Sequence, residues 1–227
     1  MHVLCVSNGT ARFSMFIPTH LELPLLERAQ HEVAKEHGSA DELISVLVQL
    51  LETHDASATS HAFSVAIQAD VLALGLGLAP ERRQLLWRSA LLHDIGKLAV
   101  PRDILHYPGR LGPEALAVIR QHPVIGADLL DRSQVLKDVA IHVRHHHERW
   151  DGGGYPYGLR GEAIPIEARI IGLCDAMHAM SMNRPYQASR NIAAILAEIE
   201  RCAGSQFDPA LTGLLLMSMH RYVLGLG

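Results

Sequence analysis

Seven residues of this chain have the types and placement that metal chemistry needs: His61, His93, Asp94, His122, His146, His147 and Asp175. The densest stretch is residues 91–97, LLHDIGK, where a histidine and an aspartate end an apolar run. A carboxylate in apolar surroundings needs a cation to answer it, and a divalent metal is the cation that His and Asp share most simply. Each of the seven has an ordinary structural reading by itself. Together they are five imidazoles and two carboxylates, without a thiolate, a donor set that suits Fe, Mn, Ni or Zn better than an iron–sulfur centre. Seven ligands outrun one first-row ion. Two ions at about six-coordination have roughly twelve positions. With Asp94 bridging, side chains fill about eight, a bridging hydroxide about two, and substrate oxygens about two. That is the layout of a two-metal hydrolase.

Helices must bring these residues together. Apolar spacing predicts helices over residues 23–37, 41–53, 61–76 and 80–93, the second opened by Ser39 as N-cap. In the third, His61 lies one turn before Val65 on the stripe continued by Ala69, Leu72 and Leu76, so it points inward. His93 and Asp94 fall in the last turn of the fourth, with Gly96 as the positive-φ residue that ends it. Residues 100–113 read as a loop and 113–120 as a short helix. His122 precedes Pro123 and is expected extended at a helix start. A helix over 135–147 puts Val135, Val139, Val143 and His146 on one face, and a glycine-rich loop follows over 148–161. The helix opened by Pro165 carries Ala168, Ile171, Asp175, Ala179 and Met182 inward. Two more helices cover about 189–202 and 209–224, and strand alternation is absent beyond residues 1–18. The reading is an all-α helical bundle, residues 41–227, with a partly helical N-terminal extension over 1–40.

Composition narrows the function. A formal charge of -4 gives no global basic field to draw nucleic acid or an acidic membrane. Cys5, Cys174 and Cys202 form no CxxC pair, so a reduced, cytoplasmic protein is expected. No apolar run is long enough to span a bilayer, and residues 1–16 lack the basic start of a signal peptide.

Several ordered motifs carry a family resemblance: HDIGK at 93–97, HP at 122–123, HHERWDGGGYP at 146–156, GL-x-GE-x-IP at 158–165, Asp175 followed by RPY at 184–186, and QFDP at 206–209. Over roughly residues 41–216 the chain resembles the HD-GYP family. The resemblance implies an HD-domain helical bundle and a metal-dependent phosphodiesterase that opens the bacterial second messenger cyclic di-GMP to pGpG, GMP or both. It implies that His61, His93, Asp94, His122, His146, His147 and Asp175 are the metal ligands. Three histidines run together at 145–147, and the following Glu148-Arg149 sets the register so that His145 is only a neighbour. Two divalent transition ions are implied, Fe or Mn first, Ni or Zn as alternatives. Asp94 and Lys97 would be catalytic, with Lys97 on the scissile phosphate and Arg184 at the other phosphate end. Tyr155 lies in the namesake loop, which the family links to substrate access and to docking of GGDEF proteins; an oligomer is left open.

Three positions depart from the family pattern. Ser57 stands where some members carry an acid that helps hold a third metal, so two ions are expected. His178 replaces a usual aspartate and Gln187 a usual basic residue, both where substrate would be held. The expected chemistry is in-line attack on phosphorus by a hydroxide formed between the two ions, with Lys97 adding fixed positive charge. His61, His93, Asp94 and Asp175 would hold one ion, and Asp94, His122, His146 and His147 the other. The alternatives are a catalytically weak module that binds a cyclic dinucleotide or a GGDEF partner, and an HD phosphohydrolase with another nucleotide substrate.

Overall fold

The computed structural model describes residues 23–35, 39–182 and 191–223. These contain helices and no β-strand; one isolated bridge joins Ala203 and Phe207. In chain order the helices are α1 (Leu23–Ala34), α2 (Ala40–His54), α3 (Ala58–Gly75), α4 (Pro80–Leu92), α5 (Arg102–Leu105), α6 (Pro113–Ile119), α7 (His122–Leu130), α8 (Lys137–His145), α9 (Ile166–Ser181), α10 (Ile192–Arg201) and α11 (Pro209–Val223). The all-α bundle is the architecture that the apolar spacing implied.

Local chemistry explains where these helices start. At α2 the Ser39 hydroxyl accepts from the Glu42 N–H while the Glu42 carboxylate accepts from the Ser39 N–H, each at 3.2 Å, a reciprocal cap. Pro80 and Pro113 occupy first-turn positions of α4 and α6, where a missing N–H costs nothing. The core is built by α3 packed on α4 and α9, with α8 against α4 and α7. Val65, Ala69 and Leu72 of α3, Leu86 of α4 and Ile171 of α9 are buried in it, as the stripes predict. Helix α1 joins through Ala29 and Val33, while its Leu26 forms a separate small cluster with Ala99 and Ile125.

Several local expectations are corrected. α4 stops at Leu92, and residues 95–99 form a 3-10 turn rather than following a glycine-terminated helix. Gly96 is not among the glycines with positive φ. A Cβ there would lie 2.0 Å from the His122 carbonyl oxygen and 2.6 Å from the Gly126 nitrogen, so glycine is required by backbone-to-backbone contact with α7. His122 is helical, the first residue of α7, because Pro123 in the first turn leaves no donor wanting and suits the helix there. α8 begins at Lys137, since the Ser133 hydroxyl accepts from the N–H groups of Val135 and Leu136 and turns the chain; Val135 is exposed, not part of the inner face. Residues 100–113 include the single turn α5, and Met182 lies outside rather than on the inner stripe of α9. Residues 1–18, where the sequence shows no clear period, and the RPY segment at 184–186 lie outside the described residues.

Candidate metal centre

Five segments converge. His61 comes from the first turn of α3, His93 and Asp94 follow α4, His122 opens α7, His146 and His147 follow α8, and Asp175 lies on α9. Ligand atoms of Asp94, His122, His146 and His147 lie within 4.8 Å of one another, as do those of His61, His93 and Asp175. Asp94 joins the two sets: its Oδ1 is 3.3 Å from His122 Nε2 and its Oδ2 is 3.3 Å from His93 Nε2 and 3.8 Å from His61 Nε2. His61 Nε2 is 3.2 Å from Asp175 Oδ1. All seven sequence candidates therefore sit in one cluster, made of two groups that Asp94 joins.

Backbone carbonyls fix how the rings face. His93 Nδ1–H donates to the Ala90 carbonyl at 2.7 Å, His122 Nδ1–H to Ile119 at 2.7 Å, and His146 Nδ1–H to Val143 at 2.6 Å. A carbonyl can only accept, so each Nδ1 holds a proton and each Nε2 faces the cluster, where the neutral ring presents a lone pair to an ion. The Nε2 atoms of His122 and His146 then face each other at 3.3 Å. Two lone pairs at that distance call for a cation. Burial holds the pKa of His146 well below its ordinary value, and the neighbouring His147 adds to this, so His146 is neutral at this contact. The donor set fits divalent transition ions. Cys174 stays apart from it, buried, with burial pushing its thiol up to about 12, so it offers no thiolate.

The remaining electrostatics agree. Burial lowers the pKa of His147 to about 3, with His122 contributing, so this ring is neutral at neutral pH. Burial opposes ionisation of Asp94, but Lys97 and His93 outweigh it and hold the carboxyl well below its usual range. Lys97 Nζ donates to Asp94 Oδ2 at 2.6 Å. Asp175 is likewise depressed against its burial, chiefly by His61 and His93.

The glycine-rich loop closes one side. The Glu148 carboxylate accepts from the N–H groups of Tyr157 and Leu159 at 2.8 and 3.0 Å, stapling the loop to the end of α8. A Cβ on Gly154 would meet the Arg149 nitrogen at 2.4 Å, so the loop backbone lies flat on the ligand-bearing segment. Tyr155 stacks on His147 with ring centroids 4.9 Å apart, and the Arg120 guanidinium lies over the same tyrosine ring. A cavity of about 240 Å³ borders the cluster and is lined by His147 and Asp175 together with Arg149, Trp150 and Gln206. Ser57 Oγ donates to Asp55 Oδ1, away from any ligand role. His178 borders the cluster, with its Nδ1 2.8 Å from His61 Nδ1. Arg184 and Gln187 lie outside the described residues. Sequence reasoning missed Glu148 and Arg120 as parts of the site. Glu148 stood in the quoted motif only as a register mark, and the contact of Arg120 with Tyr155 is non-local.

Comparison with known proteins gives a family and relatives. Residues 45–211 match the model of the HD domain. The chain is 38% identical over 177 residues to the cyclic di-GMP phosphodiesterase response regulator RpfG of Xanthomonas campestris, covering 77% of this chain and 47% of that one. It is 34% identical over 190 residues to the 3'3'-cGAMP-specific phosphodiesterase 2 of Vibrio cholerae, covering 82% of this chain and 36% of that one. It thus spans half or less of the length of these relatives. Among solved structures, an HDG"Y"P protein from Bdellovibrio bacteriovorus superposes with a TM-score of 0.62 at 20% identity, covering 93% of this chain and 75% of that one, which supports the fold.

Proposed function

Since the chain belongs to the HD domain family, in its HD-GYP branch, we propose that it is a metal-dependent phosphodiesterase hydrolysing cyclic di-GMP to pGpG, GMP or both. The observation that carries the proposal is the pair of ligand clusters joined at Asp94. In this reading His61, His93, Asp94 and Asp175 hold one divalent transition ion, Fe or Mn, and Asp94, His122, His146 and His147 hold the other. When bound, the ions supply Lewis-acid charge for a phosphoryl oxygen and lower the pKa of water. Asp94 keeps its negative charge between them because Lys97 and the imidazoles stabilise it. Lys97 gives a fixed positive charge beside the scissile phosphate, where charge builds in the transition state. Tyr155 holds the His147 ring flat from the loop side and forms a wall for the substrate. Arg184 and Gln187 take the far phosphate, and the cavity beyond Asp175 gives room for one end of a nucleotide.

The same proposal includes a cytoplasmic protein in bacterial signalling and a glycine-rich loop open to a GGDEF partner. It keeps residues 41–227 as the phosphohydrolase domain, with α1 packed on it from the extension. Among the described residues no helix is long and apolar enough to cross a membrane. Two observations favour a second reading: a relative named for 3'3'-cGAMP is nearly as similar, and the residue after RPY is the neutral Gln187. Anaerobically purified protein should be assayed with Mn²⁺ or Fe²⁺ on both dinucleotides. Turnover of cyclic di-GMP that is lost in Asp94→Asn supports the proposal. Turnover of the mixed dinucleotide alone supports the second reading, and binding without turnover of either refutes both.

A further inference from the structure

Three of the clustered imidazoles take their orientation from a carbonyl three residues earlier in the chain: Ala90 for His93, Ile119 for His122 and Val143 for His146. His61 is different. Its Nδ1 meets Nδ1 of His178, a side chain of α9, at 2.8 Å, with the ring centroids 4.9 Å apart. His178 is buried and lies three residues after Asp175, so one face of α9 carries both a candidate ligand and the group behind another.

The proton count on this pair is restrictive. A ligating His61 turns its Nε2 lone pair toward the ion, so its single proton is on Nδ1 and donates to His178. Nδ1 of His178 must then be the acceptor, with the proton of that ring on Nε2. We propose that His178 is a positioning residue. It fixes the tautomer and ring angle of His61, and through them the affinity of the ion held by His61, His93 and Asp175. The proposal rests on the two-ion reading of the cluster. A group behind a ligating histidine normally fixes its orientation and raises its basicity, and loss of such a group costs 10- to 100-fold in metal affinity. An imidazole is a neutral acceptor where a carboxylate would be a charged one, so His61 is a weaker donor here than it would be with aspartate at position 178. Loss of the His178 acceptor is therefore expected to weaken the ion held at His61, His93 and Asp175 and to spare the one held by His122, His146 and His147.

Calorimetric titration of Mn²⁺ into the metal-stripped full chain tests this. His178→Leu and His178→Asn share the same branching and number of side-chain heavy atoms, but only the amide can accept from His61 Nδ1–H. The wild type should show two binding events. His178→Leu should weaken one of them by about 10- to 100-fold and leave the other within about twofold. His178→Asn should restore most of the loss, and His178→Asp should tighten that event beyond wild type. A ¹⁵N spectrum of histidine-labelled, Zn²⁺-loaded protein should show a protonated Nδ1 on His61 that loses its exchange protection in His178→Leu. If His178→Leu leaves both binding events unchanged, the positioning role is wrong. A raised KM with unchanged ion binding would make His178 a substrate contact instead and also refute it. A wild type that takes up no ions, or one, overturns the two-ion reading itself.

Discussion

Glycine-to-alanine substitutions at three positions should have three different outcomes, and the most informative is Gly96→Ala. A Cβ at residue 96 would lie 2.0 Å from the His122 carbonyl oxygen, 2.6 Å from the Gly126 nitrogen and 2.8 Å from the His122 carbonyl carbon. Ordinary carbon contacts begin at about 3.5 Å, so the first turn of α7 would have to retreat by roughly 1.5 Å. These are backbone atoms and cannot rotate away. His122 Nε2, now 3.3 Å from Asp94 Oδ1, would move with α7. Ligand bonds to a first-row ion are about 2.0–2.2 Å, so two ligands of one ion cannot stand much beyond about 4.4 Å apart. A retreat of that size takes His122 out of the Asp94 site.

Overpacking a core typically costs 1–3 kcal/mol, and a backbone clash belongs at about 3 kcal/mol or above. For a chain of this length, that lowers Tm by roughly 6–12 °C. The comparison residues set the scale. A Cβ on Gly126 would stand 3.0 Å from the Gly96 nitrogen and 3.1 Å from a methyl of Ile95, so Gly126→Ala should cost about 1–2 kcal/mol. Gly213 lies within α11 with nothing within 4 Å of its added Cβ, so Gly213→Ala should stabilise by about 0.5–1 kcal/mol. Urea denaturation would rank the three, and elemental analysis should find two ions in the wild type and one in Gly96→Ala. If Gly96→Ala stays within about 0.5 kcal/mol of wild type and keeps both ions, the close approach of residue 96 to α7 does not shape the site.

Three further outcomes are expected. Asp94→Asn should abolish turnover more completely than any single histidine change, since an amide carries no charge to share between two cations; more than a few per cent of wild-type rate at saturating metal rules out the bridge. Gln187→Arg should lower KM for cyclic di-GMP with little change in kcat, because a charge-assisted contact to phosphate is about twice as strong as a neutral one; equal KM values on both dinucleotides before and after place residue 187 outside the site. His142 is buried beside Ser89 and Glu167, and burial, with help from Arg82, lowers its pKa against the pull of Glu167. The unfolded chain therefore takes up this proton first, and stability present above pH about 6.5 falls as pH drops toward the lower folded value. His142→Gln should flatten the loss of urea stability between pH 7.5 and 5.5, and parallel slopes for the two proteins would falsify that assignment.

The inward faces were legible because helical burial has a period that sequence displays directly. Val65, Ala69 and Leu72 are buried on α3, and the same count placed His61 and Asp175 toward the interior, where both are found in the cluster. Helix ends were less legible because they are set by single hydrogen bonds. α8 starts two residues later than periodicity suggests because one hydroxyl, Ser133, captures two N–H groups. Gly96 shows another limit. Sequence cannot separate a glycine needed for its φ from one needed for its missing Cβ when the opposing backbone, at His122 and Gly126, is more than twenty residues away. The pairing of His178 with His61 spans 117 positions and leaves no local signal.

The geometry also explains why, among His61, His93, His122 and His146, it is His61 that has a side chain rather than a carbonyl behind it. The carbonyls that hold His93 and His146 belong to the last turns of α4 and α8, and the one that holds His122 is the last residue of α6. Carbonyls in a last turn have no N–H four residues ahead within the helix, so each must find another donor. An imidazole three residues later meets that need and, with the same bond, aims its other nitrogen at the cluster. Placing a ligand just after a helix end thus couples the integrity of the end to the orientation of the ligand. His61 is in the first turn of α3, where the carbonyls are already committed to the helix, and its orienting acceptor has to come from across the bundle. Residue 178 is consequently the one position behind these four rings where the acceptor can be changed from imidazole to amide to carboxylate without loosening a helix terminus. His178→Asn and His178→Asp should therefore alter ion affinity with little change in the unfolding midpoint of the metal-free chain. His93→Ala and His146→Ala should lower that midpoint as well, through the loss of a capping bond worth about 1 kcal/mol. Equal midpoint losses at residues 178 and 93 would show that the coupling between helix end and ligand is not there.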